Sequence, residues 1–243
     1  MDTGSVAVLD APEIEILHEI SSRFAASDSL HEVLGQVVNF VASLVKCDSC
    51  FIYVLEGNDL VLRGSKNPHP EIEVVDRLKL RVGQGITGWV AQHRQPVAVS
   101  RNAARDPRFQ VFHELPEDDF EAFLSVPVLC RSKLVGVINV QHRQPHNYTK
   151  RQIQIISTIG FLVGAEIEMA RLESENSELS ERLETRKLVE RAKGILQREL
   201  RLTEEDAYLS LQRQSRQRRR PMKEIAEAIV LSEEVRRGQT PVS

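Results

Sequence analysis

Six basic residues lie close together at Arg213, Arg216, Arg218, Arg219, Arg220 and Lys223. Guanidinium groups at that density can neutralise phosphates, and Arg can also stack on unpaired bases. The charge distribution sharpens the point. Residues 186–223 hold 12 Lys+Arg against 5 Asp+Glu, whereas residues 1–185 hold 18 against 26, in a chain whose net charge is −3. One short basic segment in an acidic protein points to an anionic partner. Upstream, Lys193 stands beside Gly194, whose missing side chain admits a second backbone. The candidate nucleic-acid contacts are therefore Lys193, Gly194, Arg213, Arg216, Arg219, Arg220 and Lys223. The competing explanation is a solvated basic helix surface.

Other reactive side chains make weaker sites. Cys47 and Cys50 form a C-x-x-C pair and Cys130 stands alone, too few and too odd a number for a disulfide framework. A thiol redox switch is one reading. However, Cys50 opens a strand, where a free Cys serves as a small hydrophobe. His142 and His146 are four apart, but Pro145 between them rules out a helical ligand pair, so no metal is expected. No Ser-His-Asp or paired-carboxylate set stands out, and neither an enzyme nor a cofactor is expected. Gly83-x-Gly85-x-x-Gly88 is followed by no βαβ unit and no ribose-binding acid, so its glycines supply a tight turn.

The elements that must position these groups fall into two regions. Residues 13–45 read as two helices, the second capped by Ser29 with Glu32 and striped by Leu30, Val33, Leu34, Val37, Val38, Val41 and Leu44. Strands are expected at 50–55, 60–63, 78–82, 96–100, 122–129 and 134–142. A short helix around Trp89 and a polar excursion at 101–121 interrupt them. Thr149 with Gln152 caps a closing helix. The order predicts an α+β domain, an antiparallel sheet with helices against one face. Phe51, Tyr53, Phe123, Ser125, Asn139 and Gln141 on the strands, with Trp89 on the short helix, are the candidate lining of a ligand pocket. Their alternative role is core.

From Lys150 to Glu199 there is no proline. Met169, Leu172, Asn176, Leu179, Leu183 and Arg186 step by three and four, as the a and d positions of a heptad repeat. A coiled coil fits, with Asn176 at an a position favouring a parallel two-stranded register. Met169, Leu172, Asn176, Leu179 and Leu183 are the candidate homodimer contacts. Beyond them come three helical segments. The first ends near Leu200, the second is capped by Thr203 with Asp206, and the third begins at Pro221. The expected organisation is a disordered lead at 1–12, a sensor domain at 13–168, a coiled-coil linker at 169–186, a basic helical domain at 187–236 and a disordered tail at 237–243. No uninterrupted apolar run approaches a membrane span, and residues 1–12 lack signal-peptide features. The cytoplasm is the expected compartment.

Two stretches resemble known families. Residues 14–168 resemble a GAF domain through Arg81 to Ala91 (RVGQGITGWVA), Pro96 to Val99, Leu124 to Val128 and Val135 to Val140. The resemblance implies a sensor for a small-molecule or protein signal, whose identity is open. The Asn-Lys-Phe-Asp-Glu signature of cyclic-nucleotide-binding members is absent. Residues 186–235 resemble an ANTAR domain through Glu190 to Leu196 (ERAKGIL), Leu202 to Tyr208, Arg213 to Ser215 and Ile225 to Val230. That family implies a three-helix bundle that binds paired stem-loops in nascent leader RNA and blocks terminator formation. Gln197, Gln214, Arg219 and Pro221 depart from its pattern. The alternatives are a DNA-binding regulator, or a thiol redox enzyme of the kind also built on GAF folds.

Overall fold

The computed structural model describes residues 29–66, 75–110 and 120–238. The lead at 1–12, the first expected helix, the loop with Pro68 and Pro70, part of the 101–121 excursion and residues 239–243 lie outside them. The chain divides into two compact units, residues 1–171 and 172–243.

In the first unit, α1 (Leu30–Val45) starts where Ser29 Oγ accepts the Glu32 N–H, and it ends at Lys46 in the left-handed region. Then follow β1 (Ser49–Glu56), β2 (Asp59–Lys66), β3 (Lys79–Arg81), α2 (Gly85–His93), β4 (Val97–Val99), a 3-10 turn (Ala103–Arg105), β5 (Ala122–Cys130) and β6 (Lys133–His142). The strands form one sheet in the order β3-β2-β1-β6-β5-β4, every neighbouring pair antiparallel. The β5–β6 turn holds Arg131 and Ser132, both at positive φ, a two-residue hairpin geometry made here without glycine.

Period-two alternation sorts the strand residues onto the two faces. Cys50, Ile52, Val54, Leu124, Val126, Val128, Ile138 and Val140 pack against α1 and against α3 (Lys150–Leu200). Phe51, Tyr53, Phe123 and Val137 face the other way and pack with Ile86, Val90 and Ala91 of α2. The expectation of helices on one face is therefore corrected. The glycine turn before α2 brings that short helix back over the opposite face.

α3 is capped by a reciprocal pair, with the Gln152 N–H donating to Thr149 Oγ1 and the Thr149 N–H to Gln152 Oε1. Its buried row is Ile156, Ile159, Val163 and Ile167. Gly160 and Gly164 lie between them, and a Cβ on Gly164 would sit 2.5 Å from the Leu129 carbonyl oxygen. Although no unbroken apolar run exists, a stretch of α3 is long and apolar enough by composition to cross a membrane. Its packing on the sheet accounts for that buried row.

In the second unit, the rest of α3 packs with α4 (Glu204–Arg218) and α5 (Met222–Gly238). Val189, Ala192, Ile195, Leu211, Ile225, Ala226 and Val230 form its core. Thr203 caps α4 by accepting the Asp206 N–H. Glu233 is buried and held by Arg198 and Arg237, while Arg191 meets Glu234 and Arg236 meets Glu199. The third segment starts one residue later than expected. Pro221 contributes its carbonyl to the Ile225 N–H rather than joining the helix.

Two glycine substitutions separate tight packing from open helix. Gly164→Ala drives a methyl into the Leu129 carbonyl and is expected to destabilise the first unit by about 1–3 kcal/mol. Gly194→Ala meets nothing within 4 Å and is expected to stabilise its helix by about 0.5–1 kcal/mol. Thermal unfolding of both variants checks the pair.

Candidate functional site

The basic residues of the second unit sort by their partners. Lys193 is nearly buried, with Nζ 2.8 Å from a Glu204 carboxylate oxygen and 3.0 Å from Glu190. Those hydrogen bonds, Glu204 first, raise its pKa and lower that of Glu204. This ammonium ties the start of α4 to α3. A Cβ on Gly194 would meet nothing within 4 Å, so no second backbone approaches it closely among the described residues. Arg220 pairs with Glu224, and Lys223 lies 3.6 Å from Glu181. Arg213, Arg216 and Arg219 are exposed, and no carboxylate pairs with them among the described residues.

The turn between α4 and α5 is built around Arg219. It occupies the left-handed region at φ 51°, and its N–H donates to the Arg216 carbonyl. The Arg220 N–H reaches the Ser215 carbonyl, and Ser215 Oγ donates to the Arg220 carbonyl at 2.6 Å. These bonds close the end of α4, where Arg216 and Arg218 also complement the helix dipole. The turn holds its guanidinium-bearing residues on a fixed backbone.

In the first unit, six of the seven expected pocket residues, all but Trp89, lie on the α2-facing side of the sheet. Phe51, Tyr53 and Phe123 are buried there in one apolar cluster with Ile86, Val90 and Ala91. Ser125 Oγ donates to Asn139 Oδ1 and Asn139 Nδ2 donates to Thr87 Oγ1, both at 2.7 Å. Thr87, hidden inside the glycine turn motif, completes this buried chain, and sequence reasoning does not single it out. Trp89 goes elsewhere. It stacks on His93 at 4.0 Å between ring centres, lies under the Arg108 guanidinium, and lines a cavity of about 360 Å³ with Gly83, Gln84, Gly85, Pro107, Arg108, Phe109 and Gln110. None of the other expected pocket residues lines that cavity. Arg108 is itself held by both oxygens of Asp106. Its only sequence signal is a place in a polar excursion.

The Cys47 and Cys50 thiols are poor nucleophiles. Burial pushes the Cys47 pKa up to about 11 and raises that of Cys50 well above the ordinary thiol range, while Cys130 is half-buried. Where β6 gives way to the loop before α3, the rings of His142 and His146 stack at 4.0 Å. His142 Nδ1 lies 3.0 Å from the Tyr148 hydroxyl and Nε2 lies 3.3 Å from the Val45 carbonyl.

A GAF domain model matches residues 27–168. The chain belongs to the GAF domain family. It also carries an ANTAR domain, matched over residues 177–230. Over 76 residues, 31% of this chain, it is 49% identical to the transcriptional regulatory protein PdtaR of Mycobacterium tuberculosis. Over 161 residues, 64% of this chain, it is 26% identical to a phosphoenolpyruvate-dependent phosphotransferase system protein of Escherichia coli. The chain spans 37% and 21% of the lengths of these two curated relatives. Among solved structures, the GAF domain of an Acinetobacter phosphoenolpyruvate-protein phosphotransferase aligns with TM-score 0.60 at 28% identity, covering 69% of this chain and 99% of that one.

Two measurements probe the GAF domain's polar interior. Asn139→Ala strands Ser125 and Thr87 and is expected to cost about 1–3 kcal/mol in denaturant unfolding. Burial, the largest cause, lowers the His142 pKa, and the neighbouring His146 lowers it further. The folded domain thus keeps His142 neutral where the unfolded chain, with a pKa of about 6.5, takes up a proton. Its contribution is complete above that value and declines as pH falls below it. The melting temperature is expected to drop between about pH 7 and 5.5, and less so in His142→Gln.

Proposed function

We propose that this protein is a signal-responsive transcription antiterminator whose ANTAR domain binds stem-loops in nascent leader RNA and whose GAF domain receives the signal. The observation that carries the reading is the set of exposed arginines at 213, 216 and 219, which keep no carboxylate partner among the described residues while the neighbouring basic side chains Lys193, Arg220 and Lys223 are paired. Unengaged guanidinium groups on α4 and its closing turn suit phosphate contact and stacking on splayed loop bases. The similarity to PdtaR, a transcriptional regulatory protein, supports the regulatory half.

The active form is a homodimer in this reading. Met169, Leu172, Leu179 and Leu183 are 50–59% exposed along α3, and Asn176 between them is exposed too. Four large apolar side chains at heptad spacing are what a second copy of the helix would cover. Two tethered RNA-binding domains gain avidity on paired loops only when their spacing fits. A signal at the GAF domain that alters the pairing or register of α3 would therefore switch RNA engagement. The protein works in the cytoplasm, where nascent RNA is made, and the raised thiol pKa values support a regulator over a redox enzyme.

A gel shift against leader RNA with tandem hexanucleotide loops, alongside matching duplex DNA, tests this. RNA binding should dominate, and equal or stronger binding to the duplex would sink the antiterminator reading in favour of a DNA-binding regulator. Combined Arg213→Ala, Arg216→Ala and Arg219→Ala should weaken RNA binding at least roughly tenfold. The same variant should lower the salt dependence by about 0.7 for each phosphate it no longer neutralises.

A further inference from the structure

The register of the central strands sets side chains in rows on the α2-facing side of the GAF sheet. In one row Phe51, Asn139 and Ser125 lie side by side across β1, β6 and β5. In the next, Ser49 opposes Gln141, which opposes Phe123. The first row closes its own hydrogen bonds, since Ser125 donates to Asn139 and Asn139 to Thr87. The second does not. Ser49 Oγ and Gln141 Oε1 are both buried and have no hydrogen-bond partner among the described residues. Ser49 is 0% exposed and Gln141 9%.

Buried polar atoms are almost always paired, so two adjacent unpaired ones call for an explanation. Their chemistry is complementary to one kind of ligand. An amide carbonyl oxygen accepts only, so Gln141 Oε1 requires an N–H or O–H donor. The Ser49 hydroxyl can donate or accept. The aromatic rings of Phe51 and Phe123 occupy the neighbouring positions of the two rows and suit a planar, apolar body. Neither row carries a charged side chain, so an ionised ligand group would be buried there uncompensated.

We propose that Ser49 and Gln141 form a subsite for the amide or lactam edge of a small, neutral, planar molecule. The ligand's N–H donates to Gln141 Oε1 and its adjacent carbonyl accepts from the Ser49 hydroxyl. The proposal rests on reading the GAF domain as a small-molecule sensor. It names the ligand class for that domain and the side chains that select it.

The test uses the full chain and three probes. Nicotinamide and uracil each present an N–H beside a carbonyl, and nicotinate keeps the ring but replaces the amide with a carboxylate. At about 10 mM, nicotinamide or uracil should raise the GAF unfolding midpoint through linkage, and nicotinate should not. The double variant Ser49→Ala, Gln141→Leu should fold with unchanged or higher stability in the absence of probe, because it removes two unpaired buried groups. It should also weaken probe binding at least tenfold. The proposal is overturned if neither amide probe shifts the midpoint, or if the shift survives in the double variant. It also fails if that variant melts well below the parent, which would mean that water already satisfies both groups. Leader-RNA affinity is measured on the same samples without probe. Retained RNA binding with no probe response removes the subsite and leaves the antiterminator reading standing, and the opposite pattern does the reverse.

Discussion

The helix from Lys150 to Leu200 has to satisfy three different surroundings in succession, and the rest of the molecule depends on how it does so. Its first turns lie so close to the sheet that Gly164 has no room for a side chain beneath the Leu129 carbonyl. Its middle, Arg171 to Glu184, is exposed at every residue. Its last turns face inward again, with Val189, Ala192 and Ile195 in the core of the ANTAR domain. No proline interrupts the 51 residues, so a single hydrogen-bonded ladder runs through all three environments.

Close packing at the glycine contacts makes the helix sensitive to the sheet. Interiors at near-crystalline density transmit displacement rather than absorb it. β5 and β6 present one row of side chains to α3 and the alternate row, with Ser125, Asn139 and Gln141, to the α2 side. The same two strands thus carry both the polar row on the α2 side and the apolar row against α3. In the ANTAR domain the same economy applies to charge. Lys193, Glu233 and their partners fasten the three helices together. The arginines left over from that task are the ones concentrated near the α4–α5 turn.

Much of this is legible from residue order, because local rules act over a few positions. The caps at Ser29, Thr149 and Thr203 each follow from a hydroxyl three residues before its partner, and all three form. Alternation places Phe51, Tyr53, Phe123, Ser125 and Asn139 on one face. It does not say whether they line a space or fill it, since both uses obey the same period. The side covered by α2 is illegible for a related reason. Its direction is set by Gly83 and Gly85 at φ 88° and 66°, conformations that glycine permits but does not announce.

Taken alone, the sequence determined the elements, their caps, the heptad spacing of α3 and the charge contrast of the basic segment, since each is a property of neighbours along the chain. Only the tertiary structure decided which polar and charged groups were already engaged. Lys193 has the type and place of a nucleic-acid contact, but Glu190 and Glu204 close around it. Trp89 has the type and place of pocket lining for the sheet residues, but Arg108 and His93 cover its faces instead. The physical reason is that pairing and desolvation depend on what folding brings within a few ångströms, often from far along the chain. Spacing in sequence carries no record of that.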